Sequence, residues 1–340
     1  MLEYRMRFIA LAVVTVLTAL WHGLPGRGYH GQDARATTWR LGKDQDWEPV
    51  SAEGEGKFLL AVAQTKKLVN TGQIEAARKA FDKLKEDFPE IAGPDLDLFI
   101  EAELFFCKGK LTTAIRSHDK LLTEYPQSEL RKAALDRQFA IATACLAGQK
   151  KTVLGIFKMK RYAEGVRVME RITDRAAFDT PIGVAAAITV AKHYERRAKF
   201  NEAYLKWWDI SSQRQTGQIG KDALLGMARC MHAVYNKNPE HKRPFYDASN
   251  LRTAKSSYEK FQLLYPKDAE EIGIDEILNQ IDEQLAYKQL TIGRYYQRIG
   301  NRQSANLYYN MVTSNWPHSK ATKIAKEMLT KNLRTEETKK

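Results

Sequence analysis

Residues 303–317, QSANLYYNMVTSNWP, decide the fold. Ala305 is followed by Tyr309 four positions on, by Val312 after three more, and by the pair Trp316-Pro317. Residues spaced four and seven apart share one face of a helix, and the closing proline, which has no N–H to donate, ends it. The alanine on that face lets a neighbouring helix approach closely. Working back along the chain, the same array recurs as Ala254–Tyr258–Phe261–Tyr265-Pro266, Ala114–His118–Leu121–Tyr125-Pro126 and Ala77–Phe81–Leu84–Phe88-Pro89. Two further sets, Gly165–Met169–Ile172 and Ala203–Trp207–Ile210, keep the face without the aromatic–proline ending. Each array is the second helix of a helical hairpin, and such a hairpin buries its apolar face only by stacking on its neighbours.

The six small positions, 77, 114, 165, 203, 254 and 305, are separated by 37, 51, 38, 51 and 51 residues. Uniform tetratricopeptide arrays repeat at about 34 residues, so these spacings predict elaborated repeats with extra turns and inserts. The hairpins are expected at 57–70 with 74–88, 96–108 with 111–125, 129–147 with 162–173, 181–197 with 200–212, 221–235 with 251–264, and 272–299 with 303–314. Within the third, a helical stretch is expected at 153–159, and a helix at 319–332 is expected to cap the open end. The fold is therefore all-α: a right-handed superhelix of about six tetratricopeptide-like hairpins plus a C-terminal capping helix over 56–332. Residues 37–55, which hold Trp39, Trp47 and Pro49 without helical periodicity, are expected to form an extended arm, and 333–340 a frayed tail.

Residues 1–36 have the pattern of an export signal. Arg5 and Arg7 precede an apolar run from Phe8 to Leu20, and Ala34-Arg35-Ala36 supplies a small-residue cleavage site. The run is short of the roughly 20 residues that span a bilayer as a helix. No cysteine lies near the end of the run, which excludes attachment through a bacterial lipobox. The expected location is the periplasm or the periplasmic face of the outer membrane, with the signal either cleaved or kept as an anchor. Losing 1–36 removes four arginines and two carboxylates from a net charge of +13, leaving +11. That charge favours acidic partners and is compatible with peripheral association at an anionic membrane. An exported protein seldom meets nucleic acid, so none is expected as a partner.

Nothing in the sequence carries a catalytic signature. Cys107, Cys145 and Cys230 lie far apart in apolar helical stretches and read as core residues. The seven histidines show no metal spacing, and His118 occupies a packing position. Asp95 and Asp97 lack the glycine and terminal glutamate of a calcium loop. The chain has no phosphate loop and no nucleophile elbow, so neither cofactor, metal nor catalytic residue is expected. Trp207 belongs to the core, and Trp208, about 100° round the helix, is expected to pack on the next repeat, with a partner contact as the alternative. The first helix of each hairpin faces the groove, and counting back from each turn picks out Lys66 with Asn70, Lys192 with Arg196, and Arg294 with Arg298. Each is an i, i+4 pair forming a polar stripe suited to gripping a partner's carboxylates.

The segments 72–89, 258–266 and 286–329, above all YYQRIGNRQSANLYYNMVTSNWPHSKATKIAKEML at 295–329, resemble the BamD-like outer-membrane assembly proteins. That family has a tyrosine-rich hairpin, an aromatic–Pro-x-Ser turn and a capping helix at the corresponding place. The resemblance covers about 56–332. It implies a non-catalytic periplasmic scaffold in β-barrel assembly, receiving unfolded outer-membrane proteins on its N-terminal repeats. Its C-terminal repeats would contact the POTRA-bearing barrel subunit. The chain departs from the family in lacking the lipidated cysteine and in having about six repeats where five are usual. A soluble periplasmic adaptor for cell-wall or secretion complexes is the alternative.

Overall fold

A computed structural model describes residues 39–41, 47–49, 55–153 and 157–337. The expected export signal at 1–36 lies outside them. A short antiparallel pair, β1 (Trp39–Leu41) and β2 (Trp47–Pro49), comes first. The helices follow in hairpin order: α1 (Glu55–Asn70) with α2 (Ile74–Asp87), then α3 (Pro94–Cys107) with α4 (Leu111–Glu124), then α5 (Arg131–Leu146) with α6 (Tyr162–Ala176). Next come α7 (Pro181–Arg196) with α8 (Phe200–Gln213), α9 (Gly217–Asn236) with α10 (Ser249–Leu264), a short α11 (Pro266–Ile272), α12 (Ile274–Arg298) with α13 (Arg302–Asn315), and α14 (Lys320–Glu337). The chain divides into two compact units, Met1–Val168 and Met169–Lys340.

The small and bulky positions read from the sequence form the seams between helices. Ala77, Ala114, Ala203, Ala254 and Ala305 are wholly buried, and so are His118, Met169 and Tyr309 at the +4 position. The +7 residues Leu84, Leu121, Ile172, Ile210, Phe261 and Val312 are buried as well. A buried side chain of this size contributes roughly 1.5–3 kcal/mol of transfer free energy, so each seam is a substantial part of its hairpin's stability. In the N-terminal unit the seam continues into Phe58, Leu59, Phe88, Ile91 and Leu96, where the Phe58 and Phe88 rings meet edge to face at 5.1 Å. In the C-terminal unit, Trp207 and Ile210 pack among Ala187, Ala191 and Ala223. Tyr309 and Val312 pack among Leu290, Ala321 and Ala325, so α14 covers the last seam.

Two contacts show how closely the helices approach. A Cβ at Gly226 would lie 2.6 Å from the Trp207 ring, and one at Gly293 would lie 2.6 Å from Tyr309. A glycine on the facing helix is what lets these large rings be the +4 residue.

The aromatic–proline ending also has a backbone cause. Phe88, Tyr125, Tyr265 and Trp316 all leave the helix with φ between −127° and −136°. Each donates its N–H to the carbonyl of the +7 residue, and the following proline disfavours the helical conformation for the aromatic.

Five features differ from the sequence expectation. The helix predicted at 153–159 is instead an antiparallel pair, β3 (Lys150–Val153) with β4 (Phe157–Lys160). Gly148, at φ +102°, stops α5, and the β-branched and aromatic residues around Gly155 favour a hairpin over a helix. The helix predicted from 272 is preceded by α11 and begins anew after Gly273, whose φ of +75° no helix interior accepts. The expected arm includes the β1–β2 pair, and α14 runs past 332 to Glu337. Trp207 is core, but Trp208 is 52% exposed and does not plug a neighbouring repeat.

The hairpin turns supply a stability prediction. Gly72, Gly109 and Gly300 reverse the chain with φ near +70° to +83°, whereas the α7–α8 turn does so with Ala198 at φ +53°. An alanine there bears a left-handed strain of about 1 kcal/mol. Ala198 is exposed, so Ala198→Gly is expected to raise the stability of the C-terminal unit by about 1 kcal/mol. A denaturant midpoint equal to that of the parent chain would contradict this.

Candidate functional site

The first helices of the opening three hairpins, α1, α3 and α5, line a groove of about 860 Å³ in the N-terminal unit. Helix α1 contributes Phe58, Val62, Lys66 and Asn70, spaced four apart and therefore on a single face. From α3 come Asp95, Phe99 and Glu103, and from α5 Lys132, Ala133, Asp136, Arg137 and Ala140. The walls are thus apolar toward the start of α1 and polar toward its end. At the mouth, Ser128 Oγ donates to Asp95 Oδ2 at 2.6 Å, and Lys132 pairs with Asp136 at 2.9 Å. The two acids that fall short of a calcium loop are engaged otherwise: Asp95 with Ser128, and Asp97 with Lys85.

A charged pair forms the polar end of the groove. Arg137 Nε donates to Glu103 Oε1 at 2.7 Å and Nη2 donates to Oε2 at 2.5 Å, a two-pronged contact. The third arm, Nη1, donates to Asn70 Oδ1 at 2.8 Å. The guanidinium also lies over the Phe106 ring, 4.2 Å from its centroid. Behind Glu103, His118 Nε2 lies 3.4 Å from Oε1, an ion-pair distance without hydrogen-bond geometry. The His118 ring packs edge-on against Phe99, centroids 5.5 Å apart. Helices α1, α3, α4 and α5 are therefore joined through one buried carboxylate. Burial works to raise the Glu103 carboxyl, but the adjoining His118 ring and the charge and hydrogen bonds of Arg137 outweigh it, and the group is held below the ordinary value of 4.5.

Of the residues picked from the sequence, Lys66 and Asn70 line this groove, Lys66 exposed and Asn70 held by Arg137. Lys192 and Arg196 are exposed on α7, and Arg294 and Arg298 on α12, in two other hairpins. Glu103 and Arg137 were not picked. The signal for Glu103 was there, since it is a carboxylate inside the apolar stretch LDLFIEAELFFC. Arg137, thirty-four residues on, had no local mark.

No group of His, Cys, Asp and Glu among the described residues could hold a metal ion. The three cysteines are free, and burial pushes the Cys230 thiol up to about 12, which keeps it protonated at neutral pH. Among the described residues no helix is long and apolar enough to cross a membrane.

Residues 55–90, which are α1, α2 and the turn after them, match the tetratricopeptide repeat family model. The chain contains a tetratricopeptide repeat. No curated protein matches it. Among solved structures it is similar to the C-terminal part of a TPR repeat-containing protein from Cytophaga hutchinsonii, at 13% identity and a TM-score of 0.35, over 80% of this chain and 87% of that one. It is also similar to PilW, described as a widely conserved type IV pilus biogenesis factor, at 15% identity and a TM-score of 0.27, over 82% and 98%. A third is the human IFIT1 dimer with m7Gppp-AAAA, at 12% and 0.25, over 82% and 74%. Likenesses this remote carry no argument about what this chain binds.

The tetratricopeptide groove yields a prediction through Glu103. Because its folded-state carboxyl titrates below the ordinary value, its stabilisation is complete above about 4.5 and is lost as pH falls through the lower folded value. Glu103→Gln leaves the partly buried Arg137 without its counter-ion and is expected to cost about 2–3 kcal/mol at neutral pH. The variant should also lose less stability than the parent when acidified below that range. Denaturant unfolding across pH, followed in the N-terminal unit, checks both; equal acid sensitivity in parent and variant would contradict the account.

Proposed function

We propose that this chain is a non-catalytic scaffold that holds extended segments of partner proteins in the groove of its N-terminal hairpins. The observation that carries this reading is the groove itself. It has an apolar wall from Phe58, Val62 and Phe99, and at its far end a guanidinium already oriented by Glu103 and Asn70. An extended chain can lay side chains on such a wall while its polar backbone meets the fixed polar end. Because Arg137 is held before binding, little ordering cost falls on the complex at that point.

The resemblance of 258–266 and 286–329 to the BamD-like proteins supports a finer reading. In it the chain is exported and works at the periplasmic face of the outer membrane in β-barrel assembly, with unfolded outer-membrane proteins and the POTRA-bearing subunit as partners. The charge pattern at 1–36 supports export. With no cysteine near the end of the apolar run, attachment would come through the partner or through an uncleaved signal.

Mild crosslinking of the full chain in cells followed by purification tests both levels. Recovery of the POTRA-bearing subunit is the expected result, and recovery of cell-wall enzymes alone would replace barrel assembly with the adaptor reading. Val62→Arg, which sets a charge on the apolar wall, is expected to lower substrate capture about tenfold while leaving helix content unchanged. Undiminished capture by that variant would remove the groove from the account.

A further inference from the structure

In the C-terminal unit, one face of α12 is left uncovered. Its opposite face is spent on the core through Ile281, Leu285, Leu290 and Gly293. On the open side stand Tyr287, Thr291, Arg294 and Arg298, at spacings of four, three and four, with Tyr295 beside them. Tyr287 and Tyr295 are each about half exposed. The Arg298 guanidinium lies 5.8 Å from the Tyr295 ring centroid.

The insert between α9 and α10 adds to this face. Lys288 Nζ donates to the carbonyls of Pro244 at 3.0 Å and Tyr246 at 2.6 Å, pinning the short helical turn Glu240–Phe245 against α12. Phe245, 76% exposed, and Tyr246 are thereby held next to the turn that carries Tyr287. The backbone that carries these rings is anchored, and the rings themselves remain in solvent.

The charge around this face is one-sided. Between Glu283 and Glu327 the chain carries seven Lys and Arg residues and no carboxylate. The acids that border the face are already engaged. Asp247 is held by Ser249, Asp282 accepts from Lys255 Nζ at 2.6 Å and Trp316 Nε1 at 3.0 Å, and Glu283 accepts the Lys320 N–H at 2.9 Å. Among the described residues, neither Arg294 nor Arg298 forms an ion pair.

We propose that the open face of α12, together with Phe245 and Tyr246, docks an extended acidic polypeptide segment that carries an aromatic or aliphatic anchor residue. This rests on the scaffold reading above and names the chemistry of one partner. Carboxylates of the segment pair with Arg294 and Arg298, which have no counter-ion among the described residues, and its anchor residue lies on the rings. Tyrosine and arginine are the residues that dominate binding energy at protein interfaces. A nucleic acid fits less well, because neutralising a phosphate backbone takes a longer track of free cations than two arginines on one face.

Affinity selection from a random dodecapeptide phage library on the immobilised full chain tests this. The expected winners carry net negative charge and at least one aromatic or leucine. Synthesised singly, they should bind Arg294→Glu/Arg298→Glu at least about tenfold more weakly and Tyr295→Ala several-fold more weakly, both variants keeping parental helix content. Neutral or basic winners, affinities equal for parent and double variant, or no enrichment over the double variant would each overturn the proposal. So would arginine-dependent retention of a thymidine oligonucleotide or of phosphatidylglycerol vesicles in place of acidic peptides. None of these residues lines the groove of the N-terminal unit, so failure here leaves the crosslinking test of the scaffold reading intact.

Discussion

The distance between neighbouring helices depends on a single kind of seam, in which a small residue admits the facing helix and the large side chain four positions on packs against it. Ala77, Ala114, Ala203, Ala254 and Ala305 have no exposed surface, and the +4 and +7 residues close the space around them. At Gly226 and Gly293 the requirement becomes absolute, since a single methyl would overlap an aromatic ring. Interiors this tight do not absorb an added methylene without moving backbone. Setting the second helices by these seams leaves the first helices with a face that the hairpin itself does not use. In the N-terminal unit those faces make the groove, and in the C-terminal unit the open face of α12 is the same consequence.

The groove is held open by charge. Removing Glu103 from water is costly, and the adjoining His118 ring together with the fork from Arg137 makes its ionised form the stable one. Because Arg137 also reaches Asn70, and Glu103 also meets His118, the spacing of four helices is tied to one carboxylate. His118 is the one imidazole among the +4 positions, which in other repeats are Phe81, Met169, Trp207, Tyr258 and Tyr309. Its presence there links the repeat seam to the groove.

The repeat seams were legible in the sequence because a helix spaces its face-sharing residues regularly. All six small, +4 and +7 triplets proved to be buried. The β3–β4 pair was not legible, because residues 150–160 sit between two helices and their short apolar run suits either helix or strand. The break at Gly273 was missed for a related reason: apolar residues on both sides continued the helical period across it. Lys66 and Asn70 were legible as groove residues by counting back from Gly72. The Glu103–Arg137 fork was not, since the partners lie in different hairpins and only the packing of α3 against α5 brings them together. The exposure of Trp208 likewise depended on what the next helix covers, which no local pattern records.

The claim that the seams set the groove can be tested in one measurement. Hydrogen exchange on the full chain carrying Ala114→Leu should show loss of amide protection in α3, α4 and α5, with α7 and α8 protected as in the parent chain. Unchanged protection across α3 to α5 would contradict the account, because the groove would then not depend on the close approach at Ala114.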